Sequence, residues 1–436
     1  MRKLLILWLL MAPSAWSATY YASQTGSGST CSLGSPCTVA GAIALPLVAG
    51  DTLYLLDGVY TGANSMISAT GLIGTSGAGK ITIQAQNDGA VWINGEAARI
   101  PVYLKNTKYI VVQGLAGYNS NQSNVYIGAD PEADGYNEIK RVMAWNAHDA
   151  SNNHNFDIEF SHHNLIEDCG EFGTSRKGYA NYGGDNCTNR RNWGRWNNYN
   201  DTQPKQTYDL VYETHYSLYE NCIGEWDELA SDAGDNMGIM NTAGGYPYDP
   251  DKNTHLQVLG CISLALTAFN STQIYNNYMS HAVTGSTFTN VVSYIEMASS
   301  AIYPFYLADD VAAGASAADH LTSIYGTGGT ASVILGKGDG HNWTNTNFLE
   351  QATVGAYNMY TNTGAGATIR YRTVDGVLTS TPLWPWPMND RISAARVAAG
   401  YAAYSVDTTI QAKFGTYPSE AGTSNTGSRI RVRRPE

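Results

Sequence analysis

Short alternations of apolar and polar residues run through most of the chain. Ile81-Thr-Ile-Gln-Ala85, Val91-Trp-Ile-Asn-Gly95, Val102-Tyr-Leu104 and Tyr109-Ile-Val-Val-Gln-Gly114 follow one another, each bounded by Asn, Asp or Gly. A period of two in β-branched and aromatic residues predicts half-buried strands, and the residues between them predict tight turns. The rhythm returns at Asn155–Phe160, Tyr208–Glu213, Gln257–Ile262, Gln273–Tyr278, Asn290–Glu296, Ser332–Leu335 and Thr368–Arg372.

Part of the pattern repeats at larger scale. Phe160–Phe172, Tyr182–Trp196 and Glu213–Trp226 share one order: an alternating segment, a polar turn, a second alternating segment ending near Cys or Asn, then Glu or Arg before a large aromatic. A step of roughly 22 to 31 residues is that of stacked units that bury their apolar faces only against neighbours. One coil of a parallel β-helix fits it. Cys169, Cys222 and Cys261 each close such a segment, which predicts a ladder of small buried side chains. The many Asn residues suit left-handed turn positions and hydrogen-bonded ladders.

The beginning of the chain carries a second message. Arg2 and Lys3 precede the apolar run Leu4–Met11, and Ala15-Trp-Ser17 offers small residues for cleavage, so residues 1–17 read as a signal peptide for secretion or periplasmic export. Next come a strand, a Gly/Ser-rich loop with Cys31 and Cys37 as the expected disulfide, an Ala-rich helix near Val39–Leu47, and Gly50-Asp-Thr-Leu-Tyr-Leu-Leu-Asp-Gly58-Val-Tyr60. This segment, 18–62, resembles the N-terminal cap of the pectate-lyase-like superfamily of right-handed parallel β-helices. The resemblance implies an all-β solenoid whose open end is closed by the helix. Coils are expected over 63–382, a C-terminal helical cap over 383–418 with helices after Asp390 and around Thr408–Phe414, and a flexible basic tail over 419–436.

A net charge of -12 argues against nucleic acid as a partner, and no apolar run is long enough to span a membrane. Two stretches are predicted to leave the coil, the acidic Asp227–Asn253 and the Ala-rich Leu307–His320, the latter as a short helix. The acidic stretch offers oxygen ligands for calcium, although without EF-hand spacing. No zinc pattern is present, and no other cofactor or metal is indicated.

Against the acidic background, seven of the 25 Lys and Arg residues fall between 140 and 195. Arg176, Lys177, Arg190, Arg191 and Arg195, placed on one face with Tyr179, Tyr182, Trp193 and Trp196, would make a cationic groove for an acidic polysaccharide, since guanidinium forks grip carboxylates. The superfamily resemblance implies lyase chemistry, in which Lys, Arg, His or Tyr removes the proton beside a uronate carboxyl, sometimes with calcium in place of Arg. Lys177, Arg176 and His163 are the candidate catalytic residues, with His162 beside them. Arg190, Arg191, Arg195, Tyr179 and Trp196 are the candidate substrate-binding residues. The same cations could instead form cross-coil ion pairs with Glu167, Asp168, Glu220, Glu171 and Glu225. That arrangement would suit a non-catalytic adhesin, surface-layer or filament subunit capable of self-assembly.

Overall fold

The structure is a computed structural model that describes residues 17–148, 152–198, 205–211 and 213–226, shorter segments between 237 and 351, and 369–417. Each coil contributes one strand to each of three long sheets, of 12, 11 and 11 strands. Every pairing within these sheets is parallel. The first sheet runs from Thr19–Ala22 to Trp343–Thr346, the second from Ile67–Thr70 to Gly336–Lys337, and the third from Gly58–Tyr60 to Leu349–Gln351. The chain is an all-β, right-handed parallel β-helix, as its rhythm and N-terminal motif predict.

Corners explain much of the composition. From the strand Ile110–Gln113 to the strand Thr287–Thr289, the residue after each first-sheet strand is left-handed: Gly114, Arg141, Asp168, Arg191, Asn221, Gly260 and Asn290 have φ between 50° and 78°. Such a residue turns the chain sharply into the third sheet, and Gly or Asn adopts this geometry at least cost. The next inward side chains then satisfy neighbouring backbones. The Val142 N–H donates to Cys169 Sγ at 3.5 Å, Cys169 N–H to Asn192 Oδ1 at 2.9 Å, and Cys222 N–H to Cys261 Sγ at 3.4 Å. A second corner repeats the device, with Asn164 N–H on Cys187 Sγ and Cys187 N–H on Ser217 Oγ. All four of these cysteines are free and buried.

Inside the tube, large and small rows face each other. Phe156, Tyr179 and Tyr208 of the second sheet stack with centroids 4.7 Å apart. Across from them, third-sheet register aligns Gly117, Ala144, Glu171, Gly194, Gly224, Ser263 and Ser293. Apart from Glu171 these side chains are short and leave room for the ring stack, and buried tyrosine hydroxyls find carbonyls: Tyr179 on Trp193 O at 3.0 Å and Tyr208 on Asn192 O at 2.8 Å.

At the N-terminus Cys31 and Cys37 form the disulfide. The helix is shorter than its Ala-rich stretch suggests, Val39–Ile43, and is started by Thr38, whose Oγ1 accepts from Gly41 N–H at 3.0 Å. Val39 and Ala42 join the interior core. Thr38→Ala is expected to cost about 1 kcal/mol, read as a lowered urea midpoint.

The C-terminal helices are Asn389–Ala398 and Val406–Phe414. They lie along the outer face of the third sheet. Met388, Ile392, Ala395, Val406, Ile410 and Phe414 form one apolar cluster with Met143, Trp145, Phe172, Trp193, Ile262 and Val292. The third sheet therefore buries both faces, which is why its strands lack clean alternation.

Three local expectations are corrected. In the expected strand Thr368–Arg372, the described residues do not continue the coil; Tyr371–Val374 pairs antiparallel with Val377–Pro382 as a hairpin. Ser316–Asp319, expected within a short helix, is a first-sheet strand paired with Thr287–Thr289, so stacking overrides the helix preference of its alanines. The signal-peptide residues 1–16, Ser332–Leu335 and the tail from 418 lie outside the described residues. Most of the acidic stretch does too; where it is described, the expectation that it leaves the coil is also corrected, because Met237–Ala243 is a second-sheet strand stacked between Lys205–Val211 and Ile274–Ser280.

Candidate functional site

The candidate cations do not share a face. Arg190 stands on the first sheet, Arg191 at the corner after it, Lys177 on the second sheet and Arg195 on the third. The prism separates residues that the sequence places close together.

On the first sheet, Lys140, Glu167, Arg190 and Glu220 are register partners in successive coils. Arg190 Nε donates to Glu220 at 2.6 Å, Arg190 Nη1 lies 3.4 Å from Glu167, and Nη2 reaches Asp375 of the hairpin. Arg191 is held by Asp168 at 2.7 Å and Glu167 at 2.8 Å. Here the alternative reading, a cross-coil ion-pair ladder, describes the geometry.

Arg195 aligns with Phe172 and Glu225, one residue away from the alignment with Glu171 that the repeats suggest. It lies 3.7 Å from Glu225, and its guanidinium sits 4.8 Å from the Tyr404 ring centroid, under the C-terminal helices. Glu171 points inward, where Asn155 Nδ2 donates to its Oε2 at 2.8 Å. Burial pushes its carboxyl up to about 8. Tyr179 belongs to the interior ring stack and is 1% exposed. Trp196 is in register with Trp226, and its side chain lies outside the described residues.

Lys177 is different. It occupies the corner where the chain enters the second sheet, in register with His154 and Gln206. Although 1% exposed, it is surrounded by functional groups. Its Nζ donates to Asp209 and, at 2.7 Å, to the Tyr182 hydroxyl. The Tyr182 ring stacks on His154 at 5.5 Å, and His154 Nδ1 lies 3.2 Å from Asp157 Oδ1. Asp157 Oδ2 also accepts from Ser123 Oγ at 2.7 Å. Half-buried Arg176 donates to Asn152, which lies 3.1 Å from His154 Nε2 and accepts from Tyr182 at 3.4 Å.

Burial, then the nearby charges of Asp209 and Asp157, raises the Tyr182 phenol well above its ordinary range. Glu159, one strand position beyond this cluster, is raised by burial and by Asp157. Burying so many ionisable groups is costly unless they are paired, and clusters of this kind concentrate where chemistry is done.

His163 is not part of this cluster. It lies nine residues along the coil, stacked on Tyr136 at 4.5 Å in a column with Tyr109, its Nε2 3.7 Å from Asp134. His162 accepts from Asp185 N–H at 2.9 Å and pairs with Glu132 at 3.0 Å. Among the described residues, no group of three or more His, Cys, Asp or Glu is placed to hold a metal ion.

Sequence reasoning missed His154, Asp157 and Asp209. A signal was present: Phe156-Asp-Ile158 and Tyr208-Asp-Leu210 repeat an aromatic–Asp–aliphatic triplet, with Tyr179-Ala-Asn181 between them in register. Two rungs of about 4.8 Å thus set two aspartates on one outer row with alanine between them.

No family model matches the chain, and no curated protein matches it. Several solved structures align with it at low identity and low TM-score. A pectate lyase is 13% identical, with 86% of this chain and 90% of that chain covered and a TM-score of 0.48. An alginate lyase from Paenibacillus is 13% identical, covered over 76% and 99%, with a TM-score of 0.39. A lacto-N-biosidase from Eubacterium ramulus is 13% identical, covered over 77% and 68%, with a TM-score of 0.46. These are likenesses of overall shape, and the three parallel sheets carry the fold assignment by themselves: the chain is a parallel β-helix.

Proposed function

We propose that this is a secreted polysaccharide-active enzyme that cleaves a uronate-containing glycan by β-elimination on the outer face of the second sheet. The observation that carries the reading is the buried constellation Lys177–Asp209–Tyr182 beside His154–Asp157. Elimination needs one group to take the proton from the carbon beside the carboxyl and one to return a proton to the departing glycosidic oxygen. Lys177 and Tyr182, in hydrogen-bond contact, supply both. Passing its proton to Asp209 leaves Lys177 as the base, and the Tyr182 hydroxyl then protonates the leaving oxygen. Arg176 is the nearest guanidinium to meet a substrate carboxylate. Calcium from the acidic stretch would serve the same purpose.

The test is absorbance of the unsaturated uronate product on polygalacturonate and alginate, with calcium present or chelated. Tyr182→Phe keeps the ring on His154 and removes only the hydroxyl. It is expected to lower turnover about a hundred-fold with only a small fall in the unfolding midpoint, since Lys177 keeps Asp209 as its partner. Undiminished turnover would remove Tyr182 from the mechanism.

A second reading rests on the ion pairs. Arg190, Arg191 and Arg195 all face carboxylates, as in a non-catalytic scaffold or assembly subunit. No product on either polymer, with particles growing in light scattering, would favour that reading.

A further inference from the structure

The outer row of the second sheet that carries Asp157 and Asp209 continues toward the N-terminus as Tyr126, Tyr103 and Ser68. Tyr103 and Tyr126 stack with centroids 5.1 Å apart and 11° between their planes. The arrangement is built in: a Cβ on Gly128 would stand 2.3 Å from the Tyr126 phenol oxygen, so only glycine lets that ring lean across the strand to reach Glu159 at 2.9 Å. Tyr103 follows the same tilt, and its one described ring contact is with Tyr126.

The column stops there. The next rung is Ser68, small and exposed, with exposed Thr70 beside it in register with Lys105. Among the described residues, one face of Tyr103 therefore has no ring stacked on it, at the end of a row that begins at the reacting groups. Lys105 lies beside that row, 35% exposed, with Asp130 as its distant partner at 4.0 Å.

We propose that this open face of Tyr103, with Lys105 at its edge, is a subsite that holds one pyranose unit of an acidic polysaccharide. The occupant follows from the chemistry. A flat aromatic face takes the C–H face of a sugar ring, and an exposed ammonium at its rim favours a ring carrying a carboxylate. From the Ser68 rung to Asp157 is three rungs, or about 14 Å, so the bound unit lies well away from the bond being cleaved. The subsite would anchor a polymer along the axis of the solenoid. This rests on reading the second-sheet face as glycan-active, and it specifies the polymer as anionic.

The experiment is isothermal titration calorimetry with polygalacturonate, alginate and a neutral glucan, in the Tyr182→Phe background and at low temperature so that little polymer is cleaved during a titration. Tyr103→Ala is expected to raise Kd for the acidic polymer at least about ten-fold. Ser68→Tyr, at an exposed position, should cover the open face and weaken binding similarly without removing the platform. Lys105→Met should weaken binding of the uronates and narrow the preference over the glucan. Wild-type affinity in both Tyr103→Ala and Ser68→Tyr, or no binding of either uronate polymer to the parent protein, would overturn the proposal. If binding follows Tyr103 while Tyr182→Phe leaves turnover intact, only the assignment of the reacting groups is lost.

Discussion

Glu171→Gln is expected to make the protein more stable than wild type at pH 8 and to change it little at pH 4.5. Glu171 lies inside the tube, 1% exposed, in a row of glycines and small residues. A Cβ on Gly178 or Gly194 would come within 2.4 or 2.6 Å of its Oε1, so both glycines are there to admit the carboxyl. Among the described residues, no group makes a well-formed hydrogen bond to that Oε1. Burial raises the carboxyl from 4.5 to about 8, opposed in part by the Asn155 side chain and the Arg195 backbone N–H.

The sign follows from which state holds the proton. Below about pH 4.5 both folded and unfolded chains are protonated here and the stability is complete. Between there and about pH 8 the unfolded chain ionises first, so stability falls as pH rises; above that the loss is constant. A gap of this size corresponds to roughly 5 kcal/mol. Urea midpoints of both proteins at pH 4.5 and 8 provide the check. Equal losses in wild type and Glu171→Gln would show that Glu171 is not a protonated core group. Glu225, also raised by burial, contributes with the same sign in both proteins and cancels in the comparison.

Glu171 also shows where a sequence stops being legible. Strand rhythm, the Cys31–Cys37 disulfide and the rows of left-handed corners could be read because each depends on local spacing. Which face a residue takes could not. Aligning the repeats on their aromatics sets Arg195 opposite Glu171, whereas the sheets set Arg195 opposite Phe172 and Gly194 opposite Glu171. With a side-chain period of two, one residue of slip exchanges core and surface. The slip turns an expected surface ion pair into a buried acid. It also moves Arg195 under helices whose docking along the third sheet no local pattern announces.

The cationic groove failed as a picture for a related reason. Lys177, Arg190 and Arg195 fall within 19 positions, yet a coil turns through all three sheets in about that length. Proximity along a solenoid chain places residues on different faces, and proximity on one face requires a separation of whole coils. Asp157 and Asp209, 52 positions apart, meet that requirement, and so do Tyr103 and Tyr126.

Arg190→Ala should be among the most destabilising surface substitutions in the chain, because Arg190 joins three carboxylates that would otherwise face one another. Its side chain is 8% exposed, and its partner Glu220 is not exposed at all. Glu220 also accepts from the backbone N–H of Asp375 at 3.2 Å and of Gly376, so it pins the C-terminal hairpin to the first-sheet corner. Removing the guanidinium leaves a buried carboxylate without its counter-charge, at a cost of about 3–5 kcal/mol. Arg191→Ala provides the control. Its partners Asp168 and Glu167 are 16% exposed, and Glu167 retains Arg190 and Lys140, so water and neighbours absorb much of the loss and about 1 kcal/mol is expected. The Arg190 variant should also be cut earlier within 371–382 under limited proteolysis, since the hairpin loses its anchor. The opposite pattern, an unchanged urea midpoint with weakened binding of polygalacturonate, would return Arg190 to a substrate-binding role and with it the first sheet to the glycan-facing surface.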